Sequence, residues 1–264
     1  MHSVTATLLI STYNWPQALD LVLLSVLKQT VLPLEVVIAD DGSGPETRNL
    51  IENYRKQFQI PVKHIWHEDQ GFRKTQILNK AIRQINGEYI IQIDGDIVLH
   101  PRFIEDHLQN IQPGYFVKGS RGMLDKEKTT KVLQSRNIDF TPFQWGLSSR
   151  INATRLTTLS PLFYGPPEKT RDFKGCNFAV WKKDFIAVNG YNNALTGWGH
   201  EDIELAARLV NLGIKRRHLK MTAVCFHLHH QLNCRKQENS NLQVYYKTLD
   251  ENISTCSNGY AQTD

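Results

Sequence analysis

Two aspartates separated by one glycine offer the first chemistry in this sequence. Asp94-Gly95-Asp96 follows directly on the apolar run IIQI at residues 90–93. Two carboxylates this close raise each other's pKa unless a cation lies between them. Carboxylate oxygens suit Mg2+ or Mn2+, which bind proteins through one or two carboxylates together with substrate phosphates. The pair therefore predicts a divalent-cation site, with a plain strand-end turn as the alternative.

A second carboxylate pair, Glu201 and Asp202, lies at the predicted start of a helix that ends at Leu212. The dipole at a helix N-terminus stabilises carboxylates, so we expect both to be ionised at neutral pH. The preceding Gly197-Trp198-Gly199 permits a sharp turn and presents a flat aromatic face on which a sugar ring can stack. A carboxylate beside such a face is a candidate general base for a hydroxyl group. Charge decoration of a first helical turn is the alternative.

A third group of polar residues lies in the segment CFHLHH at residues 225–230, with Cys234 nearby. Three interpretations remain open: a closed zinc site, a core or surface histidine cluster, or one histidine that completes the cation site of the aspartates. In a continuous strand, alternation would point His227 and His230 to opposite faces. The strand must therefore end near Leu228 if the chain is to present His230.

The first 120 residues alternate strand-like and helix-like segments, which predicts β-α-β units and a largely parallel sheet. Predicted strands cover residues 4–11, 34–40, 61–68 and 88–93. Because ligands bind at the carboxyl ends of strands in open α/β sheets, the Asp94-Gly95-Asp96 turn lies where a site is expected. The pattern is lost from Asp125 to Thr170, which predicts a long loop that is functional or mobile and that orders over a bound donor.

Composition limits the class of protein without naming it. The chain has 264 residues, 41% of them hydrophobic, with a net charge of +5 and a pI near 8.9. It can bury a full core. The charge suits an anionic partner, but we do not expect that partner to be a nucleic acid. The longest apolar stretch, 21–27, is far too short to span a bilayer. The basic cluster 215–220 is either a solvated face or a peripheral contact with an anionic membrane surface.

The cysteines and the start of the chain favour a cytoplasmic protein. The four cysteines show no C-x-x-C spacing, and nothing at the start of the chain resembles a signal peptide. We therefore expect reduced thiols and a cytoplasmic location, with any membrane contact peripheral on the inner face of the cytoplasmic membrane.

Several segments resemble a known enzyme family. LLISTYN, EVVIADDGS, GFRKTQILNKAI and IIQIDGD resemble the nucleotide-diphospho-sugar half of inverting glycosyltransferases of family 2, which have the GT-A fold. FKGCNFAVWKKDFIAVNGYN, GWGHEDIELAARLVNLG and FHLHH are similar to the C-terminal half shared by β-1,4-galactosyltransferases and chondroitin-type hexosaminyltransferases. The resemblance covers about residues 4 to 230. It implies a single α/β GT-A domain with a mostly parallel central sheet flanked by helices. In that domain residues 1–120 bind the nucleotide-sugar and residues 121–264 bind the acceptor and carry catalysis.

The resemblance also implies roles for individual residues. Six would bind the donor, a UDP-sugar: Ser11, Tyr13 and Asp41 at the uridine, Asp69 and Arg73 near the nucleotide, and Asp94 near the ribose and cation.

The cation, Mn2+ or Mg2+, would be held by Asp96 and His230, with Asp94 and His227 as second choices. Asp202 would be the catalytic base, while Trp198 and Glu201 would bind the acceptor sugar.

The implied reaction is metal-dependent, inverting transfer of a hexose or N-acetylhexosamine to a hydroxyl of a glycan or lipid-linked glycan, in bacterial surface polysaccharide or lipopolysaccharide synthesis. His200 departs from the family pattern, which often has a small residue there. One alternative is a sugar nucleotidyltransferase, which would carry a Gly-rich phosphate loop where STYNWPQAL stands at residues 11–19. The other is a non-catalytic carbohydrate-binding or scaffold subunit with the same fold.

Overall fold

A mixed β-sheet forms the centre of the molecule. The computed structural model describes residues 4–231 and 237–263. The strands, in chain order, are β1 (Ala6–Thr12), β2 (Glu35–Asp40), β3 (Val62–Trp66), β4 (Tyr89–Asp94), β5 (Ile97–Leu99), β6 (Tyr115–Lys118), β7 (Gly122–Leu124), β8 (Leu147–Ser148), β9 (Asn177–Trp181), β10 (Lys215–His218) and β11 (Cys225–His227). Seven of them form the sheet β10-β6-β9-β4-β1-β2-β3, and the other four form the smaller sheet β5-β11-β7-β8.

Helices flank the large sheet. They are α1 (Pro16–Leu27), α2 (Pro45–Arg55), α3 (Lys74–Arg83), α4 (Phe103–Gln109), α5 (Lys126–Ser135), α6 (Arg150–Ala153), α7 (Lys182–Ala187), α8 (Glu201–Asn211) and α9 (Glu238–Asp250), with 3₁₀ helices at Thr157–Phe163 and Tyr260–Gln262. In the large sheet only β9 runs antiparallel to its neighbours, and the other adjacent strands pair in parallel. The predicted GT-A architecture, a mostly parallel sheet flanked by helices, agrees with this arrangement.

The alternation of side chains along the strands explains why both faces of the sheet are covered. Leu8 of β1 lies in an apolar cluster with Leu19 and Val22 of α1. The next residue, Leu9, lies in a separate cluster with Ile77 of α3 on the opposite face. Burying each such side chain contributes about 1.5–3 kcal/mol. The layers on both faces fix β1, β2 and β4 in register, so their carboxyl ends meet at one edge.

The stretch from Asp125 to Thr170 is not the long loop that its composition predicted. It contains α5, β8, α6 and a 3₁₀ helix. The Asp125 side chain caps α5 by accepting a hydrogen bond from the Lys128 N–H at 2.8 Å. Because these elements are short and bury few apolar residues, they leave little hydrophobic periodicity in the sequence.

The basic cluster near residue 215 is largely used inside the fold. Arg216 is 3% exposed and ion pairs with Asp172 at 2.7 Å. The guanidinium of Arg217 stacks between the rings of Tyr115 and Tyr164. Because Arg216 is buried, it cannot contact a membrane surface, whereas the membrane contact expected of the other basic residues stays a prediction. No helix in the described ranges combines the length and apolar character needed to cross a bilayer.

Candidate active site

Asp96, His227 and His230 form a cluster of possible metal ligands. The Asp96 Oδ2 atom lies 3.3 Å from His230 Nε2 and 3.6 Å from His227 Nε2. One ligand atom of each residue lies within 4.8 Å of the others. Asp96 lies in the turn between β4 and β5, and β5 pairs with β11, which carries His227. Because β11 ends at His227, the chain leaves strand geometry in time to bring His230 to the same side. This agrees with the expected end of that strand near Leu228.

The electrostatics of this cluster favour a bound cation. Burial raises the pKa of Asp96 to about 7, and the negative charge of Asp94 adds to the shift. Burial also lowers the pKa of His227 to about 4, with Arg121 adding to the effect, so its imidazole is neutral at pH 7. Asp96 Oδ1 and His227 Nδ1 are buried and have no hydrogen-bond partner. A cation between these side chains would stabilise the Asp96 carboxylate in its ionised form, so the donor set fits a divalent metal.

Asp94 is not a member of this cluster, because its side chain bonds other partners. Its Oδ1 accepts hydrogen bonds from Ser11 Oγ at 2.8 Å and from Lys74 Nζ at 2.7 Å. Burial raises the pKa of Asp94, but the Lys74 ammonium outweighs burial and lowers it overall. A Cβ on Gly95 would lie 2.9 Å from the Ser11 carbonyl oxygen, so close packing on β1 explains the glycine. The two aspartates of the motif therefore have different surroundings.

Asp202 is fixed by a chain of hydrogen bonds from the sheet. Its Oδ2 accepts the Gly175 N–H at 3.0 Å, and its Oδ1 accepts the Ile203 N–H at 2.8 Å. The Gly175 carbonyl in turn accepts a hydrogen bond from Gln92 Nε2 at 3.3 Å, and the same Nε2 donates to the Tyr191 hydroxyl at 2.8 Å. Gln92 lies in β4, next to the aspartate motif. The sheet thus orients Asp202 through the Gly175 peptide.

Glu201 differs from Asp202 although the two are adjacent. Burial raises the pKa of Glu201 to about 7, and the charge of Asp202 adds to the shift. The expectation that the helix dipole keeps both carboxylates ionised is therefore wrong for Glu201, because burial outweighs the dipole. The sharp turn before α8 is confirmed: Gly197, Gly199 and His200 have φ of 72°, 109° and 70°. This left-handed backbone is unusual for a non-glycine such as His200.

Two adjoining cavities surround these residues. The first, of about 450 Å3, is lined by Glu201 and Asp202. The second, of about 330 Å3, is lined by Asp96 and by the carboxyl ends of β1 and β2. Four residues border both cavities: Lys74, Asp94, Trp198 and His230. The cation-ligand cluster therefore lies at the junction between the two spaces.

Four of the six predicted donor-binding residues line the second cavity: Ser11, Tyr13, Asp41 and Asp94. Asp69 bonds one of these lining residues: its Oδ2 accepts a hydrogen bond from the Tyr13 hydroxyl at 2.9 Å. Arg73 donates its backbone N–H to Asp41 at 3.0 Å, whereas its guanidinium bonds the Glu68 carbonyl. Neither Asp69 nor Arg73 is among the described residues that line the two cavities. Arg73 thus supports Asp41 through its backbone.

Asp41 has a second partner, His67, whose Nε2 lies 2.7 Å from its Oδ1. Burial raises the pKa of Asp41, although the hydrogen bonds from His67 and Arg73 oppose that shift.

Sequence reasoning missed Lys74, Arg121 and Gln92. Burial lowers the pKa of Lys74, but the carboxylates of Asp94 and Glu201 outweigh it and raise the pKa overall, so the ammonium stays charged. Lys74 opens α3, where the helix dipole disfavours a cation. That unfavourable position was the available signal. Arg121 and Gln92 carry no comparable signal, since both lie in or next to ordinary strand patterns.

The zinc alternative receives no support from the described residues. Cys225 is buried and bonds the Ser120 carbonyl and the Asn177 amide, and it is not part of the metal-ligand cluster. Cys234 lies outside the described residues. The cysteines that the structure does describe, Cys176, Cys225 and Cys256, are free thiols, as expected.

The fold is that of a GT-A glycosyltransferase, and the family comparisons agree. Residues 7–177 match the model of glycosyl transferase family 2, and residues 160–231 match that described as the N-terminal domain of galactosyltransferase. Because the first match covers more than half of the chain, the protein belongs to glycosyl transferase family 2.

Curated relatives agree with this membership. Validoxylamine A glucosyltransferase of Streptomyces hygroscopicus subsp. limoneus is 29% identical over 233 residues, which are 81% of this chain and 49% of the relative. Chondroitin synthase of Escherichia coli is 35% identical over 235 residues, which are 78% of this chain and 32% of the relative. The chain thus spans half or less of the length of these relatives.

Solved structures share the fold. S. aureus TarS 1-349 in complex with UDP superposes with a TM-score of 0.64 at 14% identity, covering 98% of this chain and 68% of TarS 1-349. The mannosyltransferase PcManGT from Pyrobaculum calidifontis, in complex with GDP-Man and Mn2+, gives 0.60 at 16% identity over 87% of this chain and 58% of its own. At these identities the likeness concerns the fold alone, and the predicted GT-A fold is confirmed.

Proposed function

We propose that the protein is a metal-dependent inverting glycosyltransferase that moves a hexose or N-acetylhexosamine from a UDP-sugar to a hydroxyl of a glycan. One observation carries the proposal: two cavities meet at the Asp96, His227 and His230 cluster, and a pre-oriented carboxylate, Asp202, lies in one of them. Such an arrangement provides separate space for a donor and an acceptor on either side of the transferred sugar.

The nucleotide occupies the second cavity in this proposal. Ser11, Tyr13 and Asp41 lie at the carboxyl ends of β1 and β2, where ligands bind in open α/β sheets. A structural neighbour, TarS 1-349, is known in complex with UDP, which supports a uridine donor.

Asp96, His227 and His230 would hold the metal. Both histidines belong to the proposed ligand set, because both Nε2 atoms approach Asp96 Oδ2. Two imidazoles beside one carboxylate suit Mn2+ better than Mg2+, which prefers oxygen ligands. When bound, the cation neutralises negative charge that develops on the leaving diphosphate.

The residues of the first cavity perform the transfer. Asp202 accepts the proton of the acceptor hydroxyl while that oxygen forms a bond with the anomeric carbon of the donor. The bond from that carbon to the diphosphate oxygen breaks on the opposite face, and its electron pair leaves with UDP. An α-linked donor thus gives a β-glycoside. Trp198 and Glu201 bind the acceptor sugar, the first by stacking and the second by hydrogen bonds.

The acceptor belongs to a growing glycan, either free or lipid-linked, in synthesis of a bacterial surface polysaccharide or lipopolysaccharide. Two relatives are named chondroitin synthase and hyaluronan synthase, which supports a polysaccharide product. A lipid-linked acceptor would bring the enzyme to the inner face of the cytoplasmic membrane. This location is part of the proposal and rests on the substrate alone.

Neither alternative has comparable support. A sugar nucleotidyltransferase does not agree with membership of glycosyl transferase family 2. A non-catalytic subunit would have no need for a metal-ligand cluster whose buried Asp96 Oδ1 lacks a partner.

Release of UDP tests the proposal most simply. The protein would be incubated with UDP-glucose, UDP-galactose, their N-acetylamino forms and UDP-glucuronate, each with Mn2+ and with chelator, and GDP-mannose would serve as the nucleotide control. We expect metal-dependent release of UDP from one donor. If no donor reacts and UDP with Mn2+ does not raise the melting temperature either, the assignment is wrong. A rise in melting temperature without turnover would indicate a missing acceptor.

A further inference from the structure

Arg121 lies beside the cation-ligand cluster, and the proposed function gives it no role. It immediately precedes β7 and lines the first cavity together with His227 and His230. Its positive charge lowers the pKa of His227 and of Asp96, so it lies within electrostatic reach of the metal ligands.

The guanidinium of Arg121 has unusual partners. Its Nη1 donates to Cys176 Sγ at 2.5 Å, and its Nε donates to Met123 Sδ at 3.2 Å. Sulfur is a weak acceptor, and neither group carries charge. Burial raises the pKa of the Cys176 thiol to about 12, so it stays neutral at pH 7 and cannot act as a counterion. These contacts leave donors of the guanidinium available.

The buried arginines Arg208 and Arg216 are paired differently. Arg208 ion pairs with Glu204 at 2.7 Å, and Arg216 ion pairs with Asp172 at the same distance. Within the described ranges, no carboxylate lies within 4.0 Å of Arg121. The guanidinium is thus partly buried at the cavity without an ion-pair partner in direct contact, and a ligand anion would fill that place.

We propose that Arg121 binds the diphosphate of the nucleotide-sugar, next to the cation. This inference rests on the proposed function. A guanidinium presents a rigid fork of donors that matches phosphate oxygens. Since Arg121 adjoins the metal ligands, a diphosphate bound to the metal lies within its reach. Arg171 and Lys174 also line the first cavity, but both are exposed and need no bound anion.

This assignment gives the leaving group two positive partners. One of them, Arg121, belongs to the chain and stays when the metal is removed. Part of the affinity for the nucleotide should therefore remain after a chelator removes the metal. That part should depend on Arg121 and on the phosphates.

Binding of UDP and of uridine, which lacks phosphates, separates this role from others. Isothermal titration would compare the wild type with Arg121→Met and Arg121→Lys, each with Mn2+ and with chelator. Arg150→Met, on the exposed start of α6, is the matched control for the loss of one positive charge. We expect Arg121→Met to weaken UDP binding about 10- to 100-fold in both conditions. Uridine binding should change less than about twofold. Arg121→Lys should be intermediate and Arg150→Met unchanged.

Three results would overturn the inference. Equal affinity of the wild type and Arg121→Met for UDP would mean that Arg121 serves another anion, such as a carboxylate on the sugar. An equal loss for UDP and uridine would mean that Arg121 only shapes the nucleoside pocket. If the wild type bound no UDP, the proposed donor would fail and the inference with it. Melting temperatures verify that each variant folds. If Arg121→Met does not fold, the affinity of Arg121→Lys for UDP decides the test.

Discussion

The second cavity, which is the proposed donor cavity, differs from its junction with the first cavity in how far its polar groups have protein partners. In the donor cavity Asp94 has Ser11 and Lys74 as protein partners, and Asp41 has His67. Asp202, in the first cavity, also has protein hydrogen-bond partners. Around the junction, by contrast, Asp96 has a buried oxygen without a hydrogen bond, and the hydrogen bonds of the Arg121 guanidinium to described residues go to two sulfur atoms.

This difference shows which part of the site is complete and which part requires its ligands. The donor cavity is built on the ends of packed parallel strands, which hold their residues rigidly. The junction is built on turns and on the chain beyond β11, and it contains the buried Asp96 Oδ1 that lacks a hydrogen bond. Substitutions in the donor cavity should mainly affect nucleotide binding, while substitutions around the junction should affect metal binding, catalysis and pH behaviour.

Loss of the proposed base should have the largest effect. Asp202→Asn keeps the shape of the side chain and one of the two backbone hydrogen bonds that it accepts, but it cannot take the acceptor proton. We expect kcat to fall about 10²- to 10⁴-fold, while UDP affinity with Mn2+ changes less than about twofold. Steady-state kinetics and titration with UDP measure the two effects. The exposed Asp139→Asn is the neutral control. Near-normal turnover by Asp202→Asn would refute the base assignment.

Loss of one metal ligand should have the next largest effect. His230→Ala removes one of three donors, so Mn2+ affinity and turnover should both fall about 10- to 100-fold. Titration of Mn2+ with UDP present measures the first quantity. His229→Ala is the control for metal affinity, because His229 is exposed and not a member of the cluster. If both variants bound Mn2+ like the wild type, His230 would not be a ligand.

Gln92 should act on catalysis through the Gly175 peptide and Asp202. Gln92→Leu removes the hydrogen bond to the Gly175 carbonyl, so Asp202 loses part of its fixed orientation. We expect kcat to fall about 10-fold with the donor KM unchanged. Tyr191→Phe leaves the bond from Gln92 to Gly175 in place and should have a smaller effect. Equal loss in kcat and in donor affinity would indicate a general structural defect instead.

The smallest expected effect concerns stability and pH. The pKa of Glu201 is about 7 in the fold, against 4.5 ordinarily, so the folded state binds its proton more tightly than the unfolded state. The stability that this tighter proton binding contributes is present below pH 4.5 and is lost as the pH rises to 7. Glu201→Gln should thus be more stable than the wild type at pH 8, by about 1 kcal/mol or 2–4 °C, and equal at pH 4.5. Melting curves at both pH values check this; a gain at pH 4.5 alone would contradict it.

Much of the donor half could be predicted from the sequence, because its signals are local. The apolar runs and the intervening helical periodicity predict β1, β2 and β4, and the ends of these strands locate Ser11, Asp41 and Asp94. The division of the motif, in which Asp94 and Asp96 have different partners, could not be predicted from the sequence. That division depends on Lys74 and on His227, which approach from distant parts of the chain.

The acceptor half was less predictable for the same reason. β9 runs antiparallel between β4 and β6, and no local pattern specifies that position. The contact from Gln92 to Gly175 arises only from this pairing. The ionisation of Glu201 was predicted wrongly because a helix dipole can be inferred from sequence, whereas the burial that outweighs it depends on tertiary structure.

The most direct test of the central claim is the anomeric configuration of the sugar at its first release. If the acceptor beside Asp202 and the leaving diphosphate lie on opposite sides of the transferred sugar, as proposed, transfer is a single displacement with inversion. Proton NMR would follow slow hydrolysis of the preferred α-linked UDP-sugar, before the free sugar interconverts, with water in place of the acceptor. The account predicts that the β-anomer appears first. Initial release of the α-anomer would contradict the proposed geometry.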